Sequence, residues 1–203
     1  MNDLRTGDIL LCDDLGHRGF FGIFATLIKY FTNSQYSHIG MVVKDPTFTE
    51  KPLKGVYIWE SSWQGKPDPQ DGKIKLGVQI TPLEQFLDNY RKNGKIFLRR
   101  LICKQYDQTF TEEKLTDVHK VVYCKPYDIV ITDWLEAWFK RDPWPQKTSR
   151  FWCSALIGYI YTSLGLLESS TDWSILAPSF FSTENSDLCL LKDASFGPEE
   201  EII

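Results

Sequence analysis

Apolar positions along the chain follow two rhythms. Short runs rich in β-branched and aromatic residues, bounded by turn formers, predict strands at residues 9–12, 38–43, 55–60, 78–81 and 95–102. The first follows the turn Thr6-Gly7-Asp8, and the second stops at the breaker Lys44-Asp45-Pro46. Helical spacing predicts three helices between and after them. One begins at Thr81-Pro82-Leu83-Glu84, with a capping hydroxyl and a proline in the first turn, and runs through Phe86 and Leu87 towards Tyr90. Another spans residues 111–123, capped by Thr111 and carrying Leu115, Val118, Val121 and Val122 on one stripe. The last opens at Cys153 and stops at Gly165. Residues 63–77, rich in Gly, Pro, Asp and Lys, read as an exposed loop.

Two apolar stretches are less regular. Residues 19–31 have helical spacing and suit either a core helix or an apolar wall beside a binding site that meets lipid. Residues 129–139 form a partly buried segment, entered from the turn Lys125-Pro126-Tyr127-Asp128 and stopped by Asp142-Pro143-Trp144-Pro145. Beyond Pro178 the apolar content thins, and the end Glu199-Glu200-Glu201 reads as a frayed, solvated acidic tail. No repeat, low-complexity stretch or linker divides the chain. The expected organisation is one α+β domain over residues 1–203, with its core at about residues 6–178.

Composition narrows the function classes. A chain of 203 residues is long enough for one real core, and 25% charged residues describe an ordinary folded protein. A net charge of −4 argues against a dominant nucleic-acid role. The five cysteines, Cys12, Cys103, Cys124, Cys153 and Cys189, are scattered and odd in number, with no C-x-x-C pair. They suit neither a disulfide framework nor a structural metal site, and point to a reducing compartment. The N-terminus lacks the build of a signal peptide, and no segment is long and apolar enough to span a bilayer. The expected location is therefore the cytoplasm, and no cofactor or metal is expected.

Cys153 at a helix start is chemically distinctive, because unpaired N–H groups and the positive end of the helix dipole stabilise a thiolate there. The bland reading is a small core residue. A nucleophilic cysteine needs a base, and the base an orienting group. Of three histidines, His17 sits in a polar loop and His119 in an amphipathic helix, where solvated roles fit both. His38 instead opens a strand among small residues. If residues 38–43 and 55–60 form an antiparallel hairpin, His38, Gly40 and Val42 share one face, as do Val56, Ile58 and Glu60. Glu60, read as closing its strand, then meets His38 at one edge; simple exposure at a strand end is its bland alternative. Asp128 is the fallback acid.

Five motifs stand in a telling order: Thr6-Gly7-Asp8-Ile9-Leu10, Ser37-His38-Ile39-Gly40-Met41-Val42, Trp59-Glu60-Ser61, Lys125-Pro126-Tyr127-Asp128 and Phe151-Trp152-Cys153-Ser154. This order resembles that of circularly permuted papain-like proteins of the NlpC/P60 superfamily, the YiiX/YaeF-like hydrolases, with relatives among poxvirus proteins and lecithin:retinol acyltransferase. The resemblance runs from about Thr6 to Pro178. It implies a permuted papain-like fold, an antiparallel sheet or barrel packed against helices, with the nucleophile at a helix N-terminus. It further implies Cys153 as nucleophile, His38 as general base, Glu60 as the orienting residue, and Tyr127 in substrate binding or oxyanion stabilisation. The chain lacks the Asn-Cys-Glu-His sequence of the retinol-acyltransferase branch, so the YiiX-like branch is the nearer match. The implied activity is a cysteine hydrolase or acyltransferase acting on a peptide, other amide or lipid acyl substrate, with peripheral lipid contact and virion association in view. A non-catalytic binding or structural protein on the same fold is the alternative.

Overall fold

The computed structural model describes residues 3–14, 34–128, 148–185 and 188–203. Six strands carry the architecture: β1 (Ile9–Asp14), β2 (His38–Lys44), β3 (Val56–Trp63), β4 (Leu76–Pro82), β5 (Gly94–Cys103) and β6 (Ala194–Glu201). They form one sheet in the order β4-β3-β2-β1-β5-β6, and every neighbouring pair is antiparallel. Among the described residues four helices accompany them: α1 (Leu83–Asp88), α2 (Tyr106–Thr109), α3 (Glu112–Val122) and α4 (Cys153–Ser163). The class is α+β.

Period-two alternation sorts the strand residues between two cores. Ile9 and Leu11 of β1, Ile39, Met41 and Val43 of β2, and Trp59 of β3 join the helices α3 and α4 in the larger cluster. Leu10, Cys12, Val42 and Ile58 point the other way, against Leu83, Phe86 and Leu87 of α1. Helix α4 is apolar nearly all round, as a core helix should be. Leu156, Ile157 and Ile160 are fully buried, each contributing on the order of 1.5–3 kcal/mol to holding that helix in place. Its end follows the expected stop, with Gly165 at φ +70° and the Leu166 N–H returning 2.8 Å to the Tyr161 carbonyl. Thr111 caps α3 as expected, accepting the Lys114 N–H at 3.3 Å.

The acidic end is not a frayed tail. It forms β6, and Ile202 and Ile203 continue past it to pack on the smaller core. The glutamates face a basic strand: Lys95 lies 3.0 Å from Glu201 and Arg100 lies 3.6 Å from Glu200. Such exposed pairs add little each. The ladder itself and the two terminal isoleucines do more, and neither is visible in a charge count. The loop between β3 and β4 is also more anchored than its composition implies. Asp68 is buried and accepts hydrogen bonds from the Gln70 N–H at 3.0 Å and the Ile80 N–H at 3.3 Å, beside Lys75 Nζ at 2.7 Å. Residues 15–33, with His17 and the apolar run read as a core helix or as an apolar wall beside a site, and residues 129–147 lie outside the described residues. Among the described residues no helix is long and apolar enough to cross a membrane.

At the edge of β4 the chain returns as a short extra rung. Gly77 pairs with Pro126, and Tyr127 pairs in parallel with Phe151, just before α4. Gly77 has φ +145°, and a Cβ there would collide with the Lys125 carbonyl and lie 2.8 Å from Pro126 Cα. Gly77→Ala therefore strains the backbone and pushes the rung off the sheet. The expected result is a loss of roughly 1–3 kcal/mol or more in urea unfolding, and wild-type stability would contradict this account.

Candidate active site

The hairpin of β2 and β3 forms with Lys44 opposite Val56 and Met41 opposite Trp59. Carried one residue further, this register sets Glu60 beside Gly40 and diagonal to His38, all on the face of Ile58 and Val42. Glycine is required there by space. A Cβ at position 40 would collide with Ile58 Cγ2 and lie 3.6 Å from Glu60 Cβ. The bare position lets the two side chains meet over it, with His38 Nε2 2.7 Å from Glu60 Oε2.

Glu60 does not close its strand. β3 continues to Trp63, and the carboxylate is wholly buried rather than exposed at an end. A buried carboxylate is tolerable only when hydrogen-bonded. Besides His38, it receives Thr81 Oγ1 at 2.5 Å and Gln64 Nε2 at 2.8 Å, both on Oε1. Thr81 was expected to cap α1. Instead Pro82 occupies the cap position, no side chain caps the helix, and the threonine hydroxyl goes to Glu60.

Cys153 is the first residue of α4 and 2% exposed. The approach to it is fastened from two sides: Ser61 Oγ donates to the Phe151 carbonyl at 2.6 Å, and Ser154 Oγ to the Leu176 carbonyl at 2.6 Å. His38 opens β2 and Cys153 opens α4, so the starts of two elements meet, and the cysteine is near enough to act on the charge of the histidine ring. With Nε2 engaged by Glu60, Nδ1 is the ring nitrogen left free to serve the cysteine. Burial works against charge on His38, yet the neighbouring Cys153 and the hydrogen-bonded Glu60 hold it up at about 10. No side chain caps α4 and its first turn holds no acid, so the positive end of its dipole is not offset from within the helix.

Tyr127 belongs to the same constellation. Burial, reinforced by negative charge at the neighbouring Cys153 and Asp128, pushes its phenol well above its ordinary value. It stays a proton donor at neutral pH. The structure thus brings together Cys153, His38, Glu60 and Tyr127. Asp128 is not the carboxylate on His38; it lies 3.8 Å from Arg150 Nη1, and its N–H donates to the Phe151 carbonyl. His119 is not a solvated surface residue. It is half-buried beside the rings of Phe48 and Tyr123, with Nε2 2.7 Å from Gln70 Oε1, and burial lowers its basicity.

Sequence reasoning missed Thr81 and Gln64. A signal for Thr81 was present. In Val78-Gln79-Ile80-Thr81 the apolar residues take the core face, which turns Gln79 and Thr81 towards the face of Glu60. It also overlooked Cys12, which sits opposite His38 across β1 and β2. Burial pushes this thiol well up, which disfavours a thiolate there.

No protein-family model matches this chain, and no curated protein matches it.

The raised basicity of His38 has a consequence for stability. Its folded value lies above the ordinary 6.5, so the stabilisation it brings is complete below that pH and is lost as pH rises towards 10. Unfolding curves across this window should show wild type losing stability relative to His38→Gln. Parallel curves would mean that the ring carries no such linkage.

Proposed function

We infer that this protein is a cysteine hydrolase or acyltransferase that cleaves an amide or (thio)ester bond through an acyl-enzyme on Cys153. One observation carries the reading: a cysteine at a helix start neighbours a histidine whose Nε2 lies 2.7 Å from a fully buried glutamate. Three groups so placed meet the requirements of an activated nucleophile: a base beside it, and an acid orienting the base. The α+β architecture, with the histidine strand ahead of the cysteine helix, supports a permuted papain-like fold.

The chemistry then follows from the geometry. His38 Nδ1 takes the thiol proton, leaving a thiolate beside an imidazolium that Glu60 stabilises. The sulfur attacks the substrate carbonyl, and the oxyanion forms at the uncapped start of α4, with the Cys153 N–H as principal donor. The Tyr127 phenol, which keeps its proton, is a second donor at the same place. Collapse expels the amine, alcohol or thiol, which takes its proton from His38. Water, or an acceptor hydroxyl or amine, then attacks the thioester with His38 again as base, releasing the acyl group and restoring the thiol. A reducing compartment such as the cytoplasm suits an unpaired nucleophile, and all five cysteines are free.

The test is turnover of a panel of activated esters, thioesters and amides, with the acylated residue located by mass spectrometry. Wild type should acylate at Cys153, Cys153→Ala should not, and His38→Ala should fall by about 10²–10⁴-fold. A folded wild-type protein that acylates nowhere across the panel would instead identify a binding module on the same fold.

A further inference from the structure

The geometry points to Thr81, with Gln64, as a positioning residue for the dyad: their hydrogen bonds to one oxygen of Glu60 aim its other oxygen at His38 and so set which nitrogen of His38 faces Cys153. This deepens the function proposed above and rests on it.

Glu60 presents two oxygens with separate duties. Oε2 meets His38 Nε2 at 2.7 Å, while Oε1 accepts from Thr81 Oγ1 at 2.5 Å and Gln64 Nε2 at 2.8 Å. An ionised carboxylate has only acceptors to offer, so three donors from separate points suit it. They come from β2, β4 and the turn after β3, and together they oppose rotation of the carboxylate about its last bond. Gln64 is itself held, since its Oε1 accepts from Asn89 Nδ2 at 2.5 Å. The chain of bonds therefore runs Asn89, Gln64, Glu60, His38, and ends beside Cys153.

Thr81 is the more telling member. It stands immediately before Pro82 and α1, where a threonine hydroxyl ordinarily serves a helix start, and that helix goes without a side-chain cap. The hydroxyl is fully committed to Glu60 and lies buried with it. Without it, Oε1 keeps one donor of two, the carboxylate can turn, and the His38 ring loses a fixed partner for Nε2–H. The imidazolium is then less well supported, and the thiolate–imidazolium pair persists over a narrower pH range. Supporting partners of this kind act through the orientation of the groups that react.

The experiment follows alkylation of Cys153 by iodoacetate against pH, read by mass spectrometry of the Cys153 peptide in a Cys124→Ser, Cys189→Ser background that removes the exposed thiols. Iodoacetate is drawn to an imidazolium, so its rate reports the charged pair and falls as His38 loses its proton. Wild type should keep its rate up to the neighbourhood of pH 10. Thr81→Val should bring the upper limb down by about one pH unit, costing roughly fivefold near pH 10 and little at neutral pH, because a hydrogen bond to a charged group is removed. Thr81→Ser, which keeps the hydroxyl, should restore both. Gln64→Ala, at a half-buried site more tolerant of change, should move the limb in the same direction even if Thr81→Val folds poorly. A folded Thr81→Val or Gln64→Ala protein whose profile superimposes on wild type overturns the positioning role alone. Equal profiles for wild type and His38→Ala overturn the dyad, and this role with it.

Discussion

The arrangement depends on one buried carboxylate. Glu60 has no exposed surface and survives in the interior because three donors converge on it. Removing a charge of this size from water costs several kcal/mol unless it is paired and hydrogen-bonded, so each partner must arrive at its place. His38 arrives from β2, Thr81 from β4 and Gln64 from the turn after β3, which requires these three strands to lie side by side in the order found. Gly40 must lack a side chain for the same reason. The pairing order of half the sheet and the chemistry at its end are one constraint.

The two cores divide the work around that constraint. The larger one, beneath α3 and α4, fixes the helix that presents Cys153, through buried aliphatic residues and the anchors from Ser61 and Ser154. The smaller one, beneath α1, packs the opposite face, where His38 and Glu60 project; Phe86 lies 6.0 Å from the His38 ring, centroid to centroid. His38 reaches a cysteine on the far layer because each begins its own element, at an end of the sheet where neither layer intervenes. A residue two positions further along β2 would be enclosed by neighbouring strands, as Gly40 is.

Much of this was legible in the chain and some was not, for reasons of range. The strands about Ile9, His38 and Val56 and the helices at Thr111 and Cys153 are written in local periodicity, which depends only on which side of an element faces the core. The shared face of His38 and Glu60 follows from the same alternation. The depth of Glu60 does not. It read as a strand end because the β-branched and aromatic run stops there, whereas Ser61 is buried against Phe151 and the strand continues to Trp63. The C-terminal glutamates read as solvent-seeking for a similar reason, since their partner strand β5 lies about a hundred residues earlier.

The residues alone therefore determined the elements, the faces they present, and which cysteine, histidine and carboxylate could form a set, because these follow from short-range sterics and the cost of burying charge. Three-dimensional packing determined what each polar group in that set does. Thr81 illustrates the difference: its local sequence reads as a helix cap, and its hydroxyl orients a carboxylate 21 positions away. A hydroxyl bonds to whatever acceptor packing brings within reach, and a buried carboxylate binds it more strongly than the end of a six-residue helix does.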